Sequence, residues 1–370
     1  MPHTSMRLSP STLSFIDKSK SFDENKQNFK NHNVIYRDFP EDELFILKYN
    51  KNKADLSDPD IKRCRGLVLD RKTFEIVSVP PEKSVFIEDI DPECVTYQEF
   101  CDGTNVNVFY HNGKWQLSTR SSVGANVSFN TSKTFSELFF EALNFNLEDL
   151  DKNYMYSFVL EHKDNRIVCP VNENRVVLVE LRKRTIEGIE LIDVTEVRNI
   201  CKNVDIHIVK HFEFKSIIEA KKYVEELGIE SQGLVLKHEN LRTKLRSPLY
   251  SHARLVKGNT NNLQERYLTL RFQRQLKIYL SYYPEHDLQF KEFNRTLNIL
   301  CNEVHADYIK CFVKKELEHK MVRFTFKKML YDLHKLHLEK SLIITREIVY
   351  DHFCAFPIEK QLYLLENFKE

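Results

Sequence analysis

Short runs of alternating apolar and polar residues fill the first 258 positions, and a longer spacing takes over beyond them. Strand-like runs fall at residues 34–36, 44–49, 67–69 and 74–79, where Val, Ile, Leu, Phe and Tyr concentrate. The clearest local signal covers residues 104–119. Two alternating runs there flank His111-Asn112-Gly113-Lys114, and Asn-Gly favours a type I′ hairpin because both residues tolerate positive φ. Further strands are expected at 154–160, 175–181, 233–237 and 244–246. Helices are expected at 135–145 and 216–227, the second closed by Gly228 as a C-terminal cap. From about Asn262, Leu268, Leu270, Leu276, Leu280, Leu297, Leu300 and Val304 recur at helical spacing, and Met329, Leu330, Leu333, Leu336 and Leu338 continue it. All 8 glycines lie at or before Gly258, and only Pro284 and Pro357 interrupt the tail. The pattern predicts an α+β fold followed by an all-α domain: a polar segment over 1–31, a mixed domain over 32–258 and a helical domain over 259–370.

Composition narrows the class without naming a function. The chain of 370 residues is long enough for two domains, and 42% hydrophobic with 29% charged residues is ordinary for a globular protein. A net charge of +1 means that any attraction to nucleic acid must come from local patches. No apolar run approaches the ~20 residues that span a bilayer, and residues 1–31 lack a signal-peptide core. The cysteines (Cys64, Cys94, Cys101, Cys169, Cys201, Cys301, Cys311 and Cys354) stand singly, with no C-x-x-C pair. That spacing points to reduced thiols in a cytosolic compartment rather than a zinc site or disulfide framework.

Candidate chemistry gathers between residues 60 and 250. Arg65-Gly66-Leu67-Val68-Leu69 is followed by Pro81-Glu82-Lys83, then by Phe100-Cys101-Asp102-Gly103-Thr104 within the segment 97–109. Ser118-Thr119-Arg120-Ser121-Ser122 comes next, then residues 158–168 (F-V-L-E-H-K-D-N-R-I-V). Gln232-Gly233-Leu234-Val235 and Lys244-Leu245-Arg246 with Tyr250 complete the series. Taken singly, these have bland readings: Asp-Gly-Thr as a turn, Arg65 and Arg120 as surface charges, Lys244 and Arg246 as a solvated strand face. Their order and spacing set them apart. In that order they resemble the motifs of phage-type (T4-like) RNA ligases, covalent nucleotidyltransferases whose Lys-x-Asp-Gly lysine becomes bonded to AMP.

The resemblance implies an ATP-grasp-like nucleotidyltransferase domain with antiparallel sheets, a helical C-terminal domain, ATP and Mg²⁺ as cofactors and RNA as partner. It implies nucleotide-binding roles for Arg65, Lys83, Asp102, Gly103, Arg120, Glu161, Lys244 and Arg246. Cations of this kind suit a triphosphate, because charge-assisted hydrogen bonds are roughly twice as strong as neutral ones. Three polar catalytic positions depart from the family pattern. Phe100 stands where the lysine is expected, and phenylalanine has no lone pair with which to form lysyl-AMP. The third-motif glutamate aligns with Val159, leaving Glu161, two residues on and on the same strand face, as substitute. The fourth-motif glutamate is Gln232, so Glu161 and Gln232 would form a weakened metal site.

Three functions follow: an RNA-ligase-like protein that binds ATP or RNA ends without lysyl-AMP chemistry; an active ligase using a displaced lysine such as Lys83; or a scaffold acting through its helical domain. The resemblance also suggests the cytoplasm of a virus-infected cell. Elsewhere, Cys101 reads as a small buried thiol, and His334 and His337, at i, i+3, as packing residues without a third metal ligand. Arg266, Arg271, Arg274 and Lys277 form one broad helical face, read first as an ordinary solvated face and second as a candidate stripe for the RNA backbone.

Overall fold

The computed structural model describes residues 6–8, 12–86, 95–129, 131–238 and 241–368. Cys94, counted among the single cysteines, lies outside the described residues, as do residues 1–5 and 9–11 of the polar segment. The chain divides into two compact units, Met1–His252 and Ala253–Glu370.

Three antiparallel sheets make up the first unit. One orders β2 (Val34–Phe39), β3 (Leu44–Tyr49), β4 (Arg65–Asp70) and β5 (Ile76–Ser78). The largest runs β1 (Met6–Leu8), β11 (Gly188–Ile192), β10 (Arg175–Thr185), β9 (Tyr154–Glu161), β7 (Thr104–His111) and β8 (Lys114–Ser118). The third runs β12 (His211–Phe212), β6 (Thr96–Glu99), β13 (Gly233–His238) and β14 (Leu241–Arg246). Helices α1 (Phe22–Asn31), α2 (Pro59–Arg63), α3 (Phe135–Ala142), α4 (Val197–Ile200) and α5 (Ile217–Glu225) intervene, and α6 (Pro248–Lys257) leads out of the unit.

Local chemistry explains several of these elements. Strand β3 is the sequence Leu-Phe-Ile-Leu-Lys-Tyr, buried at five of its positions because it lies between two strands and is covered on its faces. The Asn-Gly hairpin forms as the sequence requires: φ is +47° at Asn112 and +81° at Gly113, with His111 opposite Lys114. Capping boxes start α1 (Ser21 with Glu24) and α3 (Thr134 with Glu137), satisfying the first backbone N–H groups.

Two expectations need correction here. Gly228 does not cap α5: the helix ends at Glu225 with Glu226 as its right-handed C-cap (φ −89°, ψ −5°), and Gly228 has no positive φ. Nor is the 1–31 segment merely polar. Leu13, Phe15, Ile16, Phe22 and Phe29 are buried with β2–β5, so its few apolar residues matter more than its composition.

The second unit is helical: α7 (Leu263–Phe272), α8 (Leu276–Tyr282), α9 (Asp287–Tyr308), α10 (Phe324–Lys340), α11 (Arg346–Cys354) and α12 (Ile358–Glu366). Its core includes Leu268, Leu270, Leu297, Leu300, Val304, Met329, Leu330 and Leu333, while Leu338 is exposed. The expected stripe of Arg266, Arg271, Arg274 and Lys277 is broken. Arg274 takes φ +58° between α7 and α8, a left-handed turn that no single helix face crosses. Arg266 donates to the Val256 carbonyl, and Arg271 lies 4.5 Å over the Tyr350 ring.

Candidate nucleotide site

Strand β6 delivers the 97–109 segment to the site. Phe100 leaves that strand donating its N–H to the Gly233 carbonyl at 3.0 Å, and the chain turns at Gly103 into β7. A Cβ on Gly103 would collide with the Leu160 carbonyl of β9, so only glycine allows the loop this close to that strand.

Asp102 is buried and fully engaged. One carboxylate oxygen accepts the backbone N–H groups of Val168 and Cys169, each at 2.8 Å, and the other accepts the Tyr250 hydroxyl at 2.6 Å. Around this hub, Asn165 donates to the Thr104 hydroxyl at 2.9 Å, and Arg166 clasps the Val168 carbonyl with Nε and Nη2 at 3.0 and 2.8 Å. Three stretches matched separately in the sequence thus meet at one carboxylate. Its neighbour Cys101 is buried, and burial together with Glu99 and Glu161 pushes its thiol well above the ordinary range, so it offers no thiolate.

The acidic side of the site is preoccupied. Glu161 receives Arg175 Nε at 2.7 Å. Burial still pushes its carboxyl up against that pairing, and the charges of Glu99 and Asp102 add to the rise. Gln232 is buried, and its backbone carbonyl accepts the Ser247 N–H at 3.1 Å. Val159, the aligned counterpart of the family glutamate, sits between Asn105 of β7 and Val177 of β10.

The basic side is arranged differently. Gly66 takes φ +104°, and a Cβ there would fall 2.8 Å from the Arg120 Cα, so glycine lets the Arg120 backbone lie against β4. Arg65 donates to the Pro81 carbonyl at 2.8 Å. Burial and the neighbouring Arg120 charge push Arg65 down from its usual value. Arg120 lies 5.7 Å from the Tyr49 ring centroid, and its Nε is buried with no hydrogen-bond partner. Lys83 is half-buried on a stretch tied to β14: Val85 donates to the Arg242 carbonyl and accepts the Thr243 hydroxyl, both at 2.8 Å. Lys244 Nζ and the Arg246 guanidinium lie 4.9 and 5.4 Å from the Phe100 ring centroid, so cations cover the ring that replaces the expected lysine.

One buried group escaped sequence reasoning. Glu180 and Arg182 of β10 pair with each other, and Lys237 of β13 reaches Glu180 at 3.7 Å. With Glu82 and Arg242 they line a small cavity. Burial opposes the charge on Glu180, but Arg182, Lys237 and Arg242 outweigh it and hold the carboxyl at about 2. The alternation of Glu180 and Arg182 within an apolar strand was the available signal, because like spacing puts both on one face.

No family model matches the chain. A protein of Autographa californica nuclear polyhedrosis virus, named as a bifunctional polynucleotide kinase/RNA ligase, is 25% identical over 245 residues, covering 59% of this chain and 34% of that protein. An RNA ligase of Rhodothermus phage RM378 is 29% identical over 162 residues, covering 32% of this chain and 36% of that one. The chain therefore spans about a third of the length of these relatives. Among solved structures, an archaeal ATP-dependent RNA ligase aligns with TM-score 0.45 and 16% identity, over 73% of this chain and 71% of that one, a likeness too distant to speak to chemistry.

Proposed function

We propose that this chain is an RNA-ligase-like protein, a reading its similarity to the two viral relatives supports, and that it binds ATP, RNA ends or both through its cations, without forming lysyl-AMP. The observation that carries this reading is Arg120, whose backbone lies against Gly66 beside Arg65 and whose Nε is buried without a hydrogen-bond partner. A buried unpartnered guanidinium nitrogen next to a second arginine is costly in an apo protein and favourable around a polyanion. Lys83, Lys244 and Arg246 extend the cationic side. Asp102 acts as framework in this reading, since its oxygens are taken by Val168, Cys169 and Tyr250. Gly103 serves by letting that loop close on β9.

The donor set is a poor one for a divalent ion of the protein's own. Glu161 is held by Arg175 and Gln232 is neutral, so Mg²⁺ would arrive on the nucleotide's phosphates. With relatives named from a virus and a phage, the reading extends to work on RNA in an infected cell. Calorimetric titration with ATP tests it. Saturable binding should weaken about tenfold in Arg120→Ala, as losing one charge-assisted contact implies. Absence of binding to the unaltered chain would defeat the reading.

One observation favours a second reading, an active ligase with a displaced nucleophile. Lys244 carries its amine over the Phe100 ring, making it a stronger candidate than Lys83. Its neutral amine would attack the α-phosphorus, forming an N–P bond as pyrophosphate leaves. Label from α-labelled ATP that survives denaturation, and is lost in Lys244→Ala but kept in Lys83→Ala, would establish it.

A further inference from the structure

The broken arginine face removes one candidate RNA stripe from the helical unit, yet another face has aromatic rings and cations together. Helix α9 runs out through a π-helical turn, Ile309–Val313, in which the Lys314 N–H reaches the Ile309 carbonyl at 2.8 Å. Such wide turns recur at functional positions. Phe312, from that turn, stacks on His334 of α10 with centroids 4.0 Å apart and planes 18° apart. Ring contacts continue in both directions. His319 lies 4.8 Å from Phe312 with planes tilted by 56°, and Tyr331 stacks on His319 at 5.4 Å and 20°. At the other end His337 stacks on His334 at 5.9 Å and 23°. Five rings from two chain segments thus form one ladder of contacts. One end is open to solvent: the terminal Tyr331 is 53% exposed, and His319 behind it is exposed.

Charge collects around the same ladder. Residues 310–337 hold eight Lys or Arg against three Asp or Glu, in a chain whose total is only +1. Lys320 and Lys335 have acidic partners, Glu318 and Glu339. Lys310, Lys314, Lys315 and Lys327 have no carboxylate within ion-pair distance among the described residues, and the first three are exposed. Lys327 donates to the Lys320 carbonyl at 3.3 Å, which sets it beside His319, and it precedes Tyr331 by one helical turn.

We propose that this ladder and its lysines form a binding surface for single-stranded RNA, with a base stacking on Tyr331, backed by His319, at the open end of the ladder, and phosphates held by Lys310, Lys314, Lys315 and Lys327. Aromatic faces accept any base, worth roughly 1–3 kcal/mol each, and a cationic rim follows the backbone without reading sequence. A duplex hides its base faces and would use only the lysines, so single strands are the matching ligand. A protein partner would have to bring dense negative charge to the same lysines while leaving polar imidazoles covered, which the ladder does not favour. The proposal rests on the reading of the chain as one that acts on RNA, but it concerns residues separate from the nucleotide site.

The test is fluorescence anisotropy of a labelled unstructured RNA 12-mer titrated with the full chain. Tyr331→Ala combined with His319→Ala should raise Kd at least tenfold, with Tyr331→Phe retaining near-normal affinity. Lys314→Glu combined with Lys315→Glu should raise Kd similarly and flatten its salt dependence by about 0.7 per lysine lost. An equal duplex should bind more weakly and be insensitive to the ring variants. The inference is overturned if the unaltered chain fails to bind the 12-mer, or if both double variants bind as it does. ATP titrations of the same variants separate the two proposals. RNA binding lost with ATP binding intact supports this surface, and RNA binding present with ATP binding absent removes only the nucleotide reading.

Discussion

Asp102 and Arg120 lie in the same candidate site and have opposite hydrogen-bonding states. The Asp102 carboxylate accepts three hydrogen bonds from residues 66, 67 and 148 positions away, whereas the buried Arg120 Nε has no partner. A buried polar group that the chain itself satisfies holds the fold together; one left unsatisfied is stabilised when a ligand arrives. The same contrast runs through the site. Glu161 is tied to Arg175 and Glu180 to Arg182, while burial and the Arg120 charge push Arg65 down. In the proposed function the acidic residues serve as scaffold and the basic ones as the phosphate-binding side.

Stability and binding should therefore separate when each side is altered. Asp102→Ala strands three buried donors and should cost about 4 kcal/mol or more in urea denaturation; a loss under about 1 kcal/mol would remove Asp102 from the framework. Glu180→Gln should cost about 3 kcal/mol at pH 7, since Arg182, Lys237 and Arg242 lose their shared counter-charge. The sign of its pH dependence follows from a folded value of about 2, below the ordinary unfolded value of about 4.3. Its contribution is complete above the unfolded value and fades as pH falls through the folded one. The gap between the original chain and the variant should thus close over that acid window; a constant gap would contradict the assignment. Gly66→Ala should cost about 1–3 kcal/mol, because its φ is +104° and the new Cβ meets Arg120. It should weaken ATP binding as well, since it displaces Arg120. Arg120→Ala should change stability least, by under about 1 kcal/mol, and lower ATP affinity about tenfold. Equal losses of stability in Asp102→Ala and Arg120→Ala would erase the comparison.

How far the sequence disclosed this arrangement depended on the range of the interaction. The Asn112-Gly113 hairpin and strand β3 were legible because turn chemistry and burial pattern are local. The cationic positions were singled out only by the order of their motifs along the chain, and their role stands as a proposal. The Asp102 hub was not, since its donors come from distant segments. Gly66 was visible only as half of a dipeptide; its close approach to Arg120 needs the folded backbone. The arginine stripe failed because helical spacing was continued across Arg274, where φ is positive. The ring ladder was hidden because Phe312, in the π-helical turn, and His334, in α10, are separated along the chain by an intervening loop. Of that ladder the sequence offered only the His334–His337 spacing, which the structure turns into a stack.

The most direct test follows α-labelled ATP, added with Mg²⁺, on the unaltered protein before and after denaturation. The account predicts saturable label on the native protein and none after denaturation, because Phe100 cannot carry AMP and the cations bind without a covalent bond. Label that survives denaturation, or native protein that takes up none, would contradict it.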